Sequence, residues 1–202
     1  VPVSVASKPW LWTGKTTFTW AMSALAASAR STRRLASSTV AGLGIPGYSG
    51  DGGPAALARI GAPTAICFDG LGNLYFADRA NHVVRRIGGD GIITTVVGCG
   101  QAGFTPDGTL AATAAIDTPC GLTIAPDGTL YFADSRNNRV RRVNGDGRLE
   151  TVAGGEVAGD GGEGELARLA LLNEPHGLAW WGEEILLISD HYNNRIKAVR
   201  VE

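Results

Sequence analysis

The chain has 202 residues, with 18 Lys and Arg against 19 Asp and Glu, which gives a formal net charge of −1. A hydrophobic fraction of 44% and a charged fraction of 18% allow a packed core and exclude wholesale disorder. No apolar run reaches the roughly 18 residues of a membrane span, so no membrane span is expected. The 29 glycines are about twice the usual share, and without a collagen-like period they indicate many tight turns.

The first 35 residues differ in composition from the rest. Five basic residues and no acidic residue precede Asp51, so the remainder holds 13 basic and 19 acidic residues, a net charge of −6. We interpret residues 1–35 as an N-terminal leader, for which three interpretations stay open. It is a secretory signal with a cleavage site at Ala27–Ala29, which would place the protein outside the cytoplasm and is favoured. Alternatively it is an organellar transit peptide from Met22, or a non-native start, because the chain begins with Val1.

The main signal is an internal repeat with a period of 56 residues. Three sets of residues keep this spacing without drift: Gly42, Gly98 and Gly154; Pro63, Pro119 and Pro175; Asp78, Asp134 and Asp190. Each unit has a Gly-rich linker, an Ala- and Leu-rich stretch that predicts a short helix, and four short apolar runs separated by turn residues. The units cover about residues 42–98, 98–154 and 154–202.

Four short strands joined by hairpin turns predict a four-stranded antiparallel sheet in each unit. One such sheet cannot bury both of its faces alone, whereas radial repetition buries each sheet against its neighbours. The sequence therefore predicts an all-β fold, a β-propeller, with the first strand of each unit innermost and the fourth outermost. Of the two adjacent tryptophans Trp180 and Trp181, at least one is expected in the core between blades.

The segment Pro63–Ile87, which contains G-N-L-Y-F-A-D-x-x-N-H-x-V-R-R-I, resembles an NHL repeat. The preceding Gly47–Ala55, G-Y-S-G-D-G-G-P-A, resembles the linker of long-period NHL proteins of bacteria and of the teneurin propeller. The resemblance covers about residues 36–202 and implies NHL propeller blades. It leaves the activity open, because one fold hosts many functions.

The predicted blades number three, whereas propellers typically have about four to eight. Residues 36–42 align with a fourth strand, and Val201 and Glu202 directly follow a third strand. We therefore predict half of a six-bladed ring, in which residues 36–42 form the closing outer strand of the last blade. The missing blades come from the rest of a longer chain, which is favoured because open blade edges would otherwise be exposed, or from a second copy.

Candidate binding residues follow from the antiparallel topology, which places the Gly-rich linkers and the D-x-x-N turns on one rim. The inner strands begin on that rim beside the central channel, a common position for a ligand site. The candidates at the channel mouth and rim are Thr64, Cys120, His176, Arg79, Arg136, His191 and Tyr192. The function predicted first is a non-catalytic scaffold that binds a protein or a small ligand through this rim, without a cofactor.

A metal-dependent lyase or hydrolase at the channel mouth is one alternative. Cys120 and His176 are weak candidates for ligands of Zn or Ca, but a zinc site needs three or four ligands and Thr64 is a poor third. The NHL-like peptide-amidating lyases have a zinc-binding histidine after this proline, and the resemblance carries that role to His176 only.

RNA binding is a second alternative, based on the basic third strands. These strands carry Arg85, Arg86, Arg139, Arg141, Arg142, Arg195, Lys197 and Arg200. The net charge of −6 argues against a nucleic acid partner, since such binding favours a net basic domain. The periodic Asp and Asn of the D-x-x-N turns are expected to be structural, because these side chains bond to the backbone in tight turns.

Overall fold

The computed structural model describes residues 37–201, so the predicted leader lies outside the described residues. The described residues form eleven β-strands in three antiparallel sheets. The strands are β1 (Pro63–Phe68), β2 (Leu74–Asp78), β3 (Val83–Ile87), β4 (Ile93–Val97), β5 (Pro119–Ile124), β6 (Leu130–Asp134), β7 (Arg139–Val143), β8 (Leu149–Gly154), β9 (Pro175–Trp181), β10 (Ile185–Asp190) and β11 (Arg195–Arg200). No helix within residues 37–201 has the length and apolar character needed to cross a membrane.

Each sheet is one propeller blade, with strands paired in sequence order. Blade 1 is β1–β4, blade 2 is β5–β8, and blade 3 is β9–β11. The first strands β1, β5 and β9 lie side by side, as expected for innermost strands. The predicted all-β propeller architecture is therefore confirmed. Short 3₁₀ helices form in the Ala- and Leu-rich stretches, at Ala55–Leu57, Ala111–Thr113 and Ala167–Leu169, and in the D-x-x-N turns, at Arg79–Asn81, Ser135–Asn137 and His191–Asn193.

The hydrophobic core lies between neighbouring blades. Val84 and Val97 of blade 1 pack with Leu122 and Phe132 of blade 2, and all four side chains are buried. Between blades 2 and 3, the ring of Trp180 makes an edge-on contact with the ring of Tyr131, with centroids 5.1 Å apart. The adjacent Trp181 is 68% exposed. The prediction that at least one of these tryptophans enters the core is confirmed, since strand side chains alternate between faces.

In each of the three blades, a cation on the third strand binds the Gly-rich linker, and it is fully buried in blades 1 and 2 and partly buried in blade 3. The guanidinium of Arg85 is fully buried and donates hydrogen bonds to the carbonyls of Ser49 and Arg59 and, at 2.6 Å, to the carboxylate of Asp51. In blade 2, the buried Arg141 likewise donates to the carbonyl of Thr105 at 2.8 Å and to Asp107 at 3.0 Å. In blade 3, Lys197 donates to the carbonyls of Leu171 at 3.0 Å and Gly161 at 3.4 Å.

The periodic Asp and Asn also bind the Gly-rich linker. Each Asp is fully buried at the end of its second strand and accepts a linker N–H that lies 17 residues earlier. Each Asn donates to that Asp and to a linker carbonyl 34 residues earlier. Burial raises the pKa of Asp134 to about 6, although the hydrogen bonds to its carboxylate and the charge of Arg141 act to lower it. The role is structural as expected, but besides the bond between Asn and Asp within the turn the contacts reach the distant linker.

The closing strand predicted at 36–42 belongs to the last blade of a complete ring and stays a prediction. Residues 37–41 lie in no strand, and the sheet of blade 3 contains three strands within the described residues. A β-strand needs a partner edge for its backbone hydrogen bonds. The matching edge is that of β11, and β5 separates the inner strands of blades 1 and 3, so this segment has no partner edge beside it.

Replacing the buried cation is expected to destabilise the fold strongly. Arg141→Met leaves the buried Asp134 without its cation and the linker carbonyl of Thr105 without its donor. Loss of one member of a buried charge pair typically costs about 3–5 kcal/mol, so the free energy of unfolding in urea should fall by that order. Arg136→Met removes the same charge from an exposed turn and is the matched control. Equal urea midpoints for the two variants would contradict the structural role of Arg141.

Candidate functional site

A cavity of about 480 Å³ lies where the three inner strands begin. Four of the candidate residues line it: Thr64, Arg79, Cys120 and His176. Three of these occupy equivalent positions directly after the periodic prolines, and Arg79 is the first residue of the D-x-x-N turn of blade 1. The apolar wall includes Leu122 and Leu178. The structure thus brings together residues from all three blades at the position where the topology places a channel mouth.

The inner strands approach closely because of a glycine that sequence reasoning overlooked. A Cβ at Gly121 would overlap the carbonyl oxygen of His176, so only glycine lets β5 and β9 come this near. On the other side of β5, the hydroxyl of Thr64 donates to the carbonyl of Cys120 at 2.8 Å. The signal for this contact was present in the sequence, since Gly121 and Gly177 both follow the post-proline position.

His176 is part of an aromatic group formed with the turn of blade 3. Its ring stacks on that of His191, with centroids 4.1 Å apart and planes within 13°. Tyr192 makes an edge-on contact with His191 at 4.7 Å. Burial lowers the pKa of His176, and the nearby charges of His191 and Arg79 lower it further. The charge of Glu174 acts in the opposite direction and raises it. At neutral pH the imidazole of His176 is therefore neutral and offers one donor and one acceptor.

The first turn residue has a different role in each blade. Arg79 lines the cavity and His191 stacks on His176, whereas Ser135 is fully buried and donates to the carbonyl of Pro175 at 2.6 Å. Sequence reasoning missed this use of Ser135 as a link between blades 2 and 3. Arg136 lies on the exposed turn of blade 2 and does not line the cavity, so the structure does not group it with the other candidates.

The mouth holds two candidate metal ligands, Cys120 and His176. Residues 37–201 contain no group of three or more His, Cys, Asp or Glu side chains close enough to hold a metal ion. The thiol of Cys120 donates to the carbonyl of Thr118, and the hydroxyl of Thr64 donates to a different carbonyl. With Cys120 and His176 alone, the mouth falls short of the three or four ligands that a zinc site requires.

The basic third strands do not form a free basic surface. Arg85 and Arg141 are fully buried in the linker contacts described above. Other strand arginines also have acceptors or rings within the chain: Arg86 with Asn73, Arg139 with the ring of Phe104, Arg142 with Glu150, and Arg195 with Asp160 and Glu163. Most of the basic residues that suggested RNA binding therefore bind the Gly-rich linker or form ion pairs with nearby side chains.

Comparison with known proteins gives teneurins as relatives, although no family model matches the chain. Teneurin-1 of Gallus gallus is 33% identical over 115 residues, which are 53% of this chain and 4% of the teneurin. Teneurin-m of Drosophila melanogaster is 29% identical over 171 residues, 78% of this chain and 6% of the relative. The chain thus matches only a small part of the length of these relatives.

Solved structures agree with the propeller architecture. A protein of unknown function from Bacteroides thetaiotaomicron is 27% identical, with a TM-score of 0.61 over 69% of this chain and 35% of that chain. An auxiliary nutrient binding protein from Bacteroides ovatus is 25% identical, with a TM-score of 0.55 over 68% and 37% of the two chains. In both cases the present chain covers little more than a third of the larger structure.

The pKa of His176 is expected to depend on the charged residues near its ring. An NMR titration should give a midpoint below the ordinary 6.5, because burial and two neighbouring positive charges disfavour the imidazolium. His191→Gln should move this midpoint upward, towards 6.5, since it removes the neighbouring imidazole charge. Arg136→Gln removes a charge that does not act on His176 and should leave the midpoint unchanged. An unaltered midpoint in His191→Gln would contradict the coupling.

Proposed function

The chain consists of teneurin-like NHL β-propeller repeats, and on that premise we propose that it is a non-catalytic binding scaffold whose channel mouth holds a small ligand. The ligand has an apolar body that rests on Ile66 and Leu178 and a carboxylate that faces Arg79 and His176. The exposed His191 and Tyr192 at the rim contact the part of the ligand that projects from the mouth.

The observation that carries this proposal is the variation among otherwise equivalent positions. The three blades repeat the buried Asp and the turn Asn, which hold the scaffold. At the mouth the same repeat places Thr64, Cys120 and His176, three side chains of different size and polarity. A repeated scaffold with a non-repeated mouth suits an asymmetric ligand, because each blade offers it a different group.

The chemistry of the mouth favours recognition over catalysis. The nucleophile candidates, the thiol of Cys120 and the hydroxyl of Thr64, donate to backbone carbonyls and not to the imidazole of His176. A catalytic nucleophile needs an adjacent base within hydrogen-bond reach. The description of a Bacteroides ovatus structure with 25% identity as an auxiliary nutrient binding protein also supports a small ligand.

The carboxylate preference is tested with N-acetyl-leucine and N-acetyl-phenylalanine and with the corresponding amides, which lack the charge. NMR titration should show saturable shifts of the His176 signals with the two acids and much weaker shifts with the amides. Arg79→Met should weaken binding of the acids by about tenfold or more, since a hydrogen bond to a charged group contributes about 1.5–3 kcal/mol.

Arg136→Met is the matched control, because it removes the same charge from a turn that does not line the cavity. It should leave the affinity for the acids unchanged. Equal losses in Arg79→Met and Arg136→Met, or shifts of His176 that do not distinguish acid from amide, would overturn the proposed carboxylate site.

A further inference from the structure

The ring of His82 joins blade 1 to blade 2. His82 directly follows the D-x-x-N turn of blade 1, and its Nδ1 accepts a hydrogen bond at 3.1 Å from the N–H of Thr118. The same nitrogen lies 3.3 Å from the carboxylate oxygen Oδ1 of Asp117. Both partners belong to the segment that leads into β5, so one imidazole nitrogen faces two groups of the neighbouring blade.

These two partners require opposite protonation states of Nδ1. An amide N–H needs an acceptor, so the contact with Thr118 forms while Nδ1 carries a lone pair and the proton of the neutral ring is on Nε2. A carboxylate needs a donor, so the contact with Asp117 becomes a hydrogen bond when Nδ1 carries a proton. One proton therefore decides which of the two neighbours the ring binds.

The junction of blades 2 and 3 makes the same contact with an amide side chain. Asn138 occupies the position of His82 with the same left-handed backbone, at a φ of 52° against 53°. Its Oδ1 accepts the N–H of Glu174 at 3.1 Å, as the Nδ1 of His82 accepts that of Thr118. An amide gains no proton near neutral pH. Of these two junctions, the one with His82 is therefore the one that can respond to pH.

The residue that His82 holds has a strained backbone. Thr118 has a φ of 54°, in the left-handed region that a β-branched residue rarely adopts. It also precedes Pro119, and the residue before a proline favours an extended backbone. The hydrogen bond from its N–H to His82 offsets this strain, so loss of the bond favours a more extended backbone at Thr118.

Thr118 connects His82 to the channel mouth. Its carbonyl accepts a hydrogen bond at 3.5 Å from the thiol of Cys120, which lines the cavity. The carbonyl of Cys120 in turn accepts the hydroxyl of Thr64, which lines the same cavity. A change in the backbone of Thr118 therefore reaches two of the side chains that form the mouth.

We propose that His82 is a proton-sensitive positioning residue for the channel mouth. In the neutral state its ring holds Thr118 in the left-handed conformation and so fixes Cys120. On protonation the imidazolium binds Asp117, the N–H of Thr118 loses its acceptor, and the backbone before Cys120 relaxes. The side chain of His82 is 23% exposed, so protons from solvent reach the ring. This switch acts on the shape of the mouth whether or not the small ligand proposed above binds there.

Other titratable groups near this junction have to be separated from His82. Asp117 is the charged group in contact with the ring among the described residues, and its N–H donates to Asp134, whose pKa burial raises to about 6. His176 lines the mouth and stacks on His191. The variant His82→Asn leaves all four groups in place. It also gives position 82 the side chain that blade 2 uses at the same backbone conformation, so the fold should be kept.

Amide hydrogen exchange of the unmodified chain is the first test. Relative to its intrinsic rate, the amide of Thr118 should lose about three- to tenfold of its protection between about pH 8 and pH 5, because one hydrogen bond is lost as the histidine gains its charge. The amide of Glu174, held by Asn138, is the internal control and should keep its protection. Equal behaviour of the two amides would overturn the proposal. A proton on Nδ1 rather than Nε2 at about pH 8, in the nitrogen NMR spectrum of the ring, would overturn it as well.

The variant His82→Asn is the second test and addresses the link to the mouth. Its amide oxygen should accept the N–H of Thr118 at either pH, so the protection of Thr118 should no longer fall. The pH-dependent NMR shift of the Cys120 amide should become smaller, and the part that remains comes from Asp134 and His176. A Thr118 amide that still loses its protection would assign the effect to Asp134 and overturn the switch. An unchanged shift of Cys120 would contradict the connection between His82 and the mouth.

Discussion

The fold depends on one buried arrangement that is repeated in every blade: a cation on the third strand, an aspartate at the end of the second strand and an asparagine three residues later. Placing a lone charge in the interior is costly, so this arrangement persists only while the cation, the carboxylate and the linker carbonyls remain together. It fixes the Gly-rich linker to the blade. Arg79 and His191 lie in the D-x-x-N turns of blades 1 and 3, so this arrangement also sets the positions of the candidate ligand contacts.

The period of the sequence was sufficient to predict the architecture. Glycine, proline and aspartate recur with the same spacing, and alternating apolar runs between them predict four strands for each unit, of which eleven are formed in the described residues. The strands β1, β5 and β9 start at the periodic prolines. The closing strand at 36–42 was predicted from alignment alone and stays a prediction, because a strand depends on an adjacent edge that sequence alignment does not supply.

The candidate site was harder to predict, because its contacts join residues far apart in the chain. Thr64, Arg79, Cys120 and His176 could be placed near one another from the repeat, and the cavity includes all four. Arg85 and Arg141 looked like a basic surface because charged side chains are rarely buried, and their acceptors lie 26 to 36 residues away. The contact of Ser135 could not be predicted from the turn, since its acceptor, the carbonyl of Pro175, is 40 residues further along.

The replacement of arginine by Lys197 in blade 3 has a consequence for local motion. An ammonium is a compact point charge, whereas a guanidinium is a planar fork that holds several acceptors at fixed angles. The linker of blade 3 is thus held by less directional bonds, and Lys197 stands 4.0 Å from Asp190. Local opening begins in segments with the weakest restraints. Amide hydrogens of this linker should accordingly exchange with solvent before those of the other two, so the three equivalent loops would differ in lifetime although they share one architecture.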